Sequence, residues 1–530
     1  MDRRSLLLGR RAPAAALAHA EALTRPTPAL PAPARPAPPE RKMPPSVAPP
    51  YAGGLAPFTP TADAPWDARR ARHLLRRTGF HAPLAEVTRL LGLAPSEAAA
   101  SIVDAAVGAA PVPVPTYSTL FRPPATAPQA EIDAYTTANG QAFRKEQDGV
   151  FDEALAIRAT GTGLRERLAL ALHSAVPTNY NDYNQRTHRL VRYWAVLRAG
   201  AFGSYRTLIG DVGRTPAMLV YLNGNLNRSG SPNENYAREL LELFTTGTEG
   251  PGGEQTYTQT DVAQLARCLT GWTVVDASND GIFVPSRFDA GSKTVFGRTG
   301  AFGYDEAVAL VFTERGAAVA HRLAGVLYRA LVAGEPNAQV RAEMAALLLA
   351  NDFRTEPVVR ALLASEHFFS AGALGARLRA PLDLMLGTLA TTGYSDPRPY
   401  FPTIRTRCVE GGFDLFRPVD VSGWPGGRLW LDTGRLPSRW LATDALWARK
   451  REAQALALSM PDPGNPYALV DALAEHVAAV PLSAATRAEA VTVMLGGIPD
   501  YEWNPTVAGA ENRIRGVLQF FSRLPEAQLA

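Results

Sequence analysis

The stretch Ser231-Pro-Asn-Glu-Asn-Tyr-Ala-Arg-Glu-Leu-Leu-Glu-Leu-Phe-Thr-Thr-Gly247 carries its own start, its own stop and two distinct faces. Ser231 can cap a helix, Pro232 suits the first helical position, and Glu234 stands where a capping box needs a carboxylate. Gly247 is placed to end the helix in the left-handed conformation. Between these signals Tyr236, Leu240, Leu243 and Phe244 form an apolar stripe. On the opposite side Asn235, Glu239 and Glu242 fall within an arc of ~60° at 100° per residue. A helix with one apolar face must bury it against other elements. Segments of the same period recur from Asp67 to Ser522. They are interrupted where Trp272–Val275 and Ile282–Val284, separated by Asp280-Gly281, read as a hairpin, with Lys293–Gly297 as a candidate third strand. The sequence therefore predicts a mainly α fold: a large multi-helix domain with a small β-hairpin insert.

Four regions follow along the chain. In residues 1–23, Arg3 and Arg4 before Leu6, Leu7 and Leu8 resemble a twin-arginine export signal. Arg10, Arg11 and Pro13 break the apolar run that should come next, and a basic tail is the plain alternative. Residues 24–65 are rich in Pro and Ala and are expected to be an extended, disordered linker. Residues 66–445 form a helical core, and 446–530 a helical C-terminal part packed on it. Export implies a periplasmic or extracellular location; a cytoplasmic one is the alternative. No run approaches ~18 apolar residues, so no transmembrane segment is expected.

Composition narrows the function classes. The 54 Lys and Arg against 50 Asp and Glu leave a net charge of +4, too balanced for a nucleic-acid partner or an anionic membrane. With 46% hydrophobic residues in 530, the chain can build its core without disulfides or metal. Cys268 and Cys408 match no metal spacing, and either one disulfide or two buried free thiols fits them. Phosphate-binding Gly loops, the Gly-x-Ser-x-Gly elbow and His-Glu-x-x-His are all absent from the sequence.

Several ordered motifs carry a resemblance. Pro232–Thr245, Tyr257-Thr-Gln-Thr-Asp-Val-Ala-Gln-Leu-Ala-Arg-Cys-Leu-Thr-Gly-Trp272, Lys293-Thr-Val-Phe-Gly297 and Leu415-Phe-Arg-Pro-Val-Asp-Val-Ser-Gly-Trp-Pro-Gly-Gly427 follow an opening His73-Leu-Leu-Arg-Arg-Thr-Gly-Phe80. In that order they resemble the bacterial family of unknown function numbered 1800, from about residue 66 to about 445. The resemblance implies a large, largely helical, commonly exported bacterial protein and names no reaction. This chain reads as a divergent member. Leu172-His-Ser-Ala-Val176 keeps one histidine, His173, where the family pattern has two. Phe288-Asp289 stands for His-Asp, and Leu222-Asn223 for Leu-Asp.

The candidate chemistry centres on Glu239 and Glu242 with His173 and Asp289. Two carboxylates at i and i+3 can act as acid and base. With an imidazole from another helix, Glu239, Glu242 and His173 could instead hold one divalent cation, of the calcium, magnesium or manganese kind. The plain reading is an amphipathic helix whose polar face is solvated and paired through Arg238 to Glu234 and Glu242. Asn235, Arg238 and Trp424 are the candidate substrate contacts, and the aromatic segment around Trp424 is expected to cover the Ser231–Gly247 helix. Two functions stay open. One is an exported, envelope-associated binding or assembly protein whose site has lost its activity. The other is a metal-dependent or acid–base hydrolase acting on an extracytoplasmic polymer or protein.

Overall fold

Helical periodicity becomes 22 α-helices in the computed structural model, which describes residues 53–155, 162–275 and 280–530. The mainly α fold is as the sequence predicts. Their buried faces form one core running from Phe58 to Leu446 and a second from Trp447 to Ala527. The export signal and the linker up to residue 52 lie outside the described residues. The rest of the linker does not behave as one: Phe58 is buried against Phe369 with ring centroids 5.1 Å apart, and its amide donates to Ala364 O. Packing therefore begins ahead of Trp66, because one phenylalanine among the prolines reaches the core. Both cysteines are free and buried. Among the described residues no helix is long and apolar enough to cross a membrane.

The β content is two separate antiparallel pairs. Strands β1 (Trp272–Val275) and β2 (Asp280–Phe283) pair Trp272 with Phe283. Asp280 and Gly281 lie within β2 rather than in a turn. Gly281 is there because a Cβ would come within 2.3 Å of Arg214 O, the close backbone approach that a strand glycine often marks. Lys293–Val295 does not extend this sheet. As β3 it pairs with β4 (Arg298–Gly300).

Two helices form the centre of the first core. In helix Thr187–Gly200 the residues Leu190, Tyr193, Trp194 and Leu197, which share one face at helical spacing, are all fully buried. They meet helix Thr162–Ala175, which carries His173. Arginine, which supplies most of the positive charge, has a structural use that composition does not show: it closes helix C-termini from a distance. Arg165 donates to Ala106 O and Ala109 O, and Arg76 to His476 O and Ala478 O. These carbonyls have no partner within their own helices.

Candidate functional site

The Ser231–Gly247 stretch folds differently from its sequence signals. The α-helix spans only Asn235–Glu239 and continues as a π-helix, Leu240–Thr245. Ser231 does not cap it. Ser231 pairs with Arg228 in a tight turn, and the Asn233 side chain accepts from the amide of Asn235. The wide turn has a local cause. Thr245 and Thr246 send their hydroxyls back to Leu240 O and Leu241 O, and the amide of Thr246 also reaches Leu241 O, five residues back. Arg322 and Tyr205 take up Leu243 O and Phe244 O. The π geometry thus leaves none of these carbonyls unpaired, and π segments of this kind concentrate at functional sites. Gly247 ends the stretch at φ +73°, as its position predicts.

Glu239 and Glu242 are both half-buried and remain electrostatically coupled across this change of pitch. Burial first, and then the negative charge of Glu242, push the Glu239 carboxyl up to about 7, with Arg238 opposing. Glu242 accepts from Tyr257 OH at 3.1 Å. Arg238 bonds Glu234 at 3.0 Å and Gln259 at 2.9 Å and forms no ion pair with Glu242. Asn235 is exposed, and its side-chain amide donates to Leu222 O at 3.3 Å. That bond ties the start of the helix to the end of helix Pro216–Tyr221 and sets Glu239 near the Tyr221 phenol.

Tyr221 marks a convergence that the sequence did not suggest. Burial, and then the charges of Asp182, Asp420 and Glu239, hold its phenol well above the ordinary range. These carboxylates come from three separate parts of the chain. Asp182 sits in the turn 179–185, and Asp420 in the long irregular segment 411–431. The two loops are bonded together, Tyr180 N to Phe416 O at 2.9 Å and Asn179 Nδ2 to Pro418 O at 3.0 Å. Left-handed backbone at non-glycine residues recurs around the same place, at Asn184, Gln185, Asn223 and the fully buried Phe416 (φ +70°). For a bulky residue such as Phe416 this is a genuine outlier.

The other sequence candidates are placed elsewhere in function. His173 is fully buried, ringed by Tyr193, Trp194, Phe416 and Trp424. Its Nδ1 lies 2.7 Å from Tyr193 OH, which itself donates to Val176 O, so Nδ1 carries the proton and Nε2 is left without a hydrogen-bond partner. Burial alone drives the imidazole down to about 3, so it is neutral at physiological pH. Trp424 stacks on Phe413 (centroids 4.2 Å apart) and meets His173 edge-on at 5.0 Å. Around Gly423 and Trp424 its segment therefore packs on the end of the His173 helix. Asp289 is bound through both oxygens to Arg267, at 2.8 and 3.2 Å, which holds its carboxyl below the usual range. Among the described residues no three His, Cys, Asp or Glu side chains form a group that could hold a metal ion, so Glu239, Glu242 and His173 are not assembled as one.

Fold and site together define a large helical protein in which a π-helix and two hydrogen-bonded loops bring the charges of Glu239, Asp182 and Asp420 to bear on Tyr221. The chain belongs to the family described as protein of unknown function (DUF1800), whose match spans residues 73–529 and so includes the C-terminal helices. No curated protein and no solved structure matches it.

Proposed function

We propose that this protein is an exported acid–base hydrolase of an extracytoplasmic polymer or protein, with Glu239 as its proton-transferring group. The observation that carries this reading is the half-buried Glu239 carboxyl, raised to about 7 beside Glu242. A group that exchanges its proton near neutral pH suits general acid–base work. Glu242, held by Tyr257, is the neighbour whose charge raises Glu239. Asp182 and Asp420, whose charges act with that of Glu239 on Tyr221, add negative charge and hydrogen-bond acceptors beside it, which suits hydroxyl- or amine-bearing polymers. The export half of the proposal rests on Arg3 and Arg4 and the leucines after them.

The second reading, an envelope-associated binding or assembly protein, is favoured by a specific pair of observations. His173 is walled in by aromatic rings and Asp289 is committed to Arg267, which leaves fewer groups for chemistry. One experiment separates the two. The purified chain and its Glu239→Gln variant are incubated with peptidoglycan, envelope polysaccharides and denatured protein, and both product release and retention are measured across pH. The hydrolase reading expects turnover with a limb near pH 7 that Glu239→Gln abolishes while retention persists. Retention without turnover in the wild type, undisturbed by Glu239→Gln, would establish the binding reading.

A further inference from the structure

Asparagine is followed by glycine at two places in the chain, Asn139-Gly140 and Asn223-Gly224. Such a pair readily loses its side-chain amide, because glycine has no Cβ to hinder attack by its own amide nitrogen and leaves the main chain free to turn. The sequence ranks the two pairs equally, and the structure separates them. Asn139 is 8% exposed and lies within helix Gln129–Leu155. Its Nδ2 donates to Gln185 O at 2.6 Å and to Tyr180 OH at 3.1 Å, and its Oδ1 accepts from the Thr187 amide at 2.9 Å. Both ends of that side chain are fixed, so reaction at Asn139 needs the helix and the turn 179–185 to open together.

Asn223 is exposed, and its side chain makes no hydrogen bond among the described residues. The Gly224 amide, which would be the attacking group, donates to no acceptor there either. Asn223 stands at φ +58°, ψ 21°, a left-handed conformation that asparagine adopts more readily than most residues. Ring closure requires rotation about this ψ, away from its present value. The bond that such a rotation breaks is Leu226 N to Asn223 O, at 3.1 Å, which closes the single 3-10 turn Gly224–Leu226. Opening one short exposed turn costs far less than opening a packed helix.

We infer that Asn223 is a deamidation site, at which the chain beside Tyr221 ages to aspartate and isoaspartate. The Gly224 nitrogen bonds to Asn223 Cγ, the Cγ–Nδ2 bond breaks, and ammonia leaves with the amide proton, giving a cyclic imide. Water then opens the imide. Addition at Cγ gives aspartate, and addition at the main-chain carbonyl gives isoaspartate, in which the chain continues through the side-chain carbon. Water is the only co-reactant, and either product gains a negative charge. The isoaspartate form lengthens the main chain by a methylene next to Leu222, whose carbonyl takes the Asn235 side-chain amide at 3.3 Å. It therefore loosens the start of the helix that carries Glu239. That consequence for Glu239 rests on the proposed acid–base function, whereas the modification does not.

The test uses the full chain, incubated at neutral pH both folded and in denaturant, with amide loss at each asparagine read by peptide mass spectrometry. In the folded chain Asn223 should convert at least about tenfold faster than Asn139, and in denaturant the two should convert alike. Gly224→Ala puts a Cβ on the attacking residue. In the fold the nearest atom to that Cβ is Leu219 Cδ2 at 3.2 Å, the free end of a side chain. This variant should suppress conversion at 223 and leave Asn139 unchanged. An Asn223 that persists in the folded chain while the denatured chain converts would overturn the proposal. So would equal rates at Asn139 and Asn223 in the folded chain, or conversion undiminished in Gly224→Ala. The wild-type comparison decides by itself if that variant fails to fold. Where the fresh chain has turnover, the isoaspartate fraction from ion exchange should lose it. A fresh chain without turnover would count against the hydrolase, while the mass measurement still decides the modification.

Discussion

Gly423 and Gly426 lie three residues apart in the irregular segment that carries Asp420, and replacing each with alanine separates two physical effects. Both have positive φ, +88° and +65°, where an L side chain is strained. At Gly426 a Cβ would meet nothing within 4 Å. Gly426→Ala therefore costs only the backbone penalty of its φ +65°, ψ 168° conformation, which is almost confined to glycine, roughly 1–3 kcal/mol less a small offset from the stiffer unfolded chain. At Gly423 the same Cβ would lie 2.2 Å from Ser174 O and 2.7 Å from Ser174 Oγ. The carbonyl belongs to the end of the His173 helix and cannot rotate away, so overpacking adds roughly 1–3 kcal/mol. Gly423→Ala should thus destabilise the segment by about 2 kcal/mol more than Gly426→Ala. Amide hydrogen exchange over residues 412–431 reads this local opening directly. The difference corresponds to roughly thirtyfold faster exchange in Gly423→Ala. The Gly423 amide closes a turn on Asp420 O at 3.1 Å, so the same variant should also lower the pH at which the Tyr221 phenol titrates, as the Asp420 charge moves away from it. Equal exchange in the two variants would refute the claim that the segment is clamped on Ser174.

Other predictions bear on charge and packing. Glu166 is buried and bonded through both oxygens to Arg198, at 2.6 and 3.1 Å, and burial still lifts its carboxyl to about 7. Its folded value exceeds its unfolded one, so its contribution to stability is fully present below pH ~4.5 and is lost as pH rises to about 7. The rise is worth about 3 kcal/mol at ~1.4 kcal/mol per pH unit, and Glu166→Gln should flatten denaturation midpoints over that window. Arg198→Met should cost about 3–5 kcal/mol near pH 7, because it strands Glu166 and Glu146. Gly213→Ala would drive a Cβ to 1.9 Å from Tyr236 OH and 2.1 Å from Tyr304 OH, and should lower the unfolding free energy by about 2 kcal/mol or more in guanidinium titration. Cys268 and Cys408 should react with a thiol reagent only after unfolding, in a ratio of two thiols per chain.

Much of the helical body can be read from periodicity, because burial of one face is a local property: the inward face Leu190, Tyr193, Trp194 and Leu197 is an example. Features decided by distant partners were not legible. Ser231 has the chemistry of a cap, but Arg228 claims it for a turn. Thr245 and Thr246 are the local signal for a π turn, yet their effect depends on Tyr205 and Arg322 receiving the neighbouring carbonyls. Of the site, Glu239 and Glu242 could be found because their spacing lies within one helix. Asp182, Asp420 and Tyr221 could not, since hydrogen bonds between two irregular segments bring the two aspartates to a tyrosine at the end of a separate helix. The length of the 411–431 loop, unusual inside a packed domain, was the one available hint. His173 has a residue type that suggests chemistry, and four aromatic rings from elsewhere in the chain turn it into core.

The arginines that reach across to helix termini have a consequence for how this sequence can drift. Arg76 joins the first core to the second through the carbonyls of His476 and Ala478, and Arg165 closes the helix ending at Gly108 in the same manner. Every residue type supplies a carbonyl. The recipient positions can therefore be substituted freely while the arginine is held fixed, and no compensating change accompanies them. Contacts of this kind leave no paired signature in related sequences, so a search for co-varying positions would report the two cores as more independent than they are.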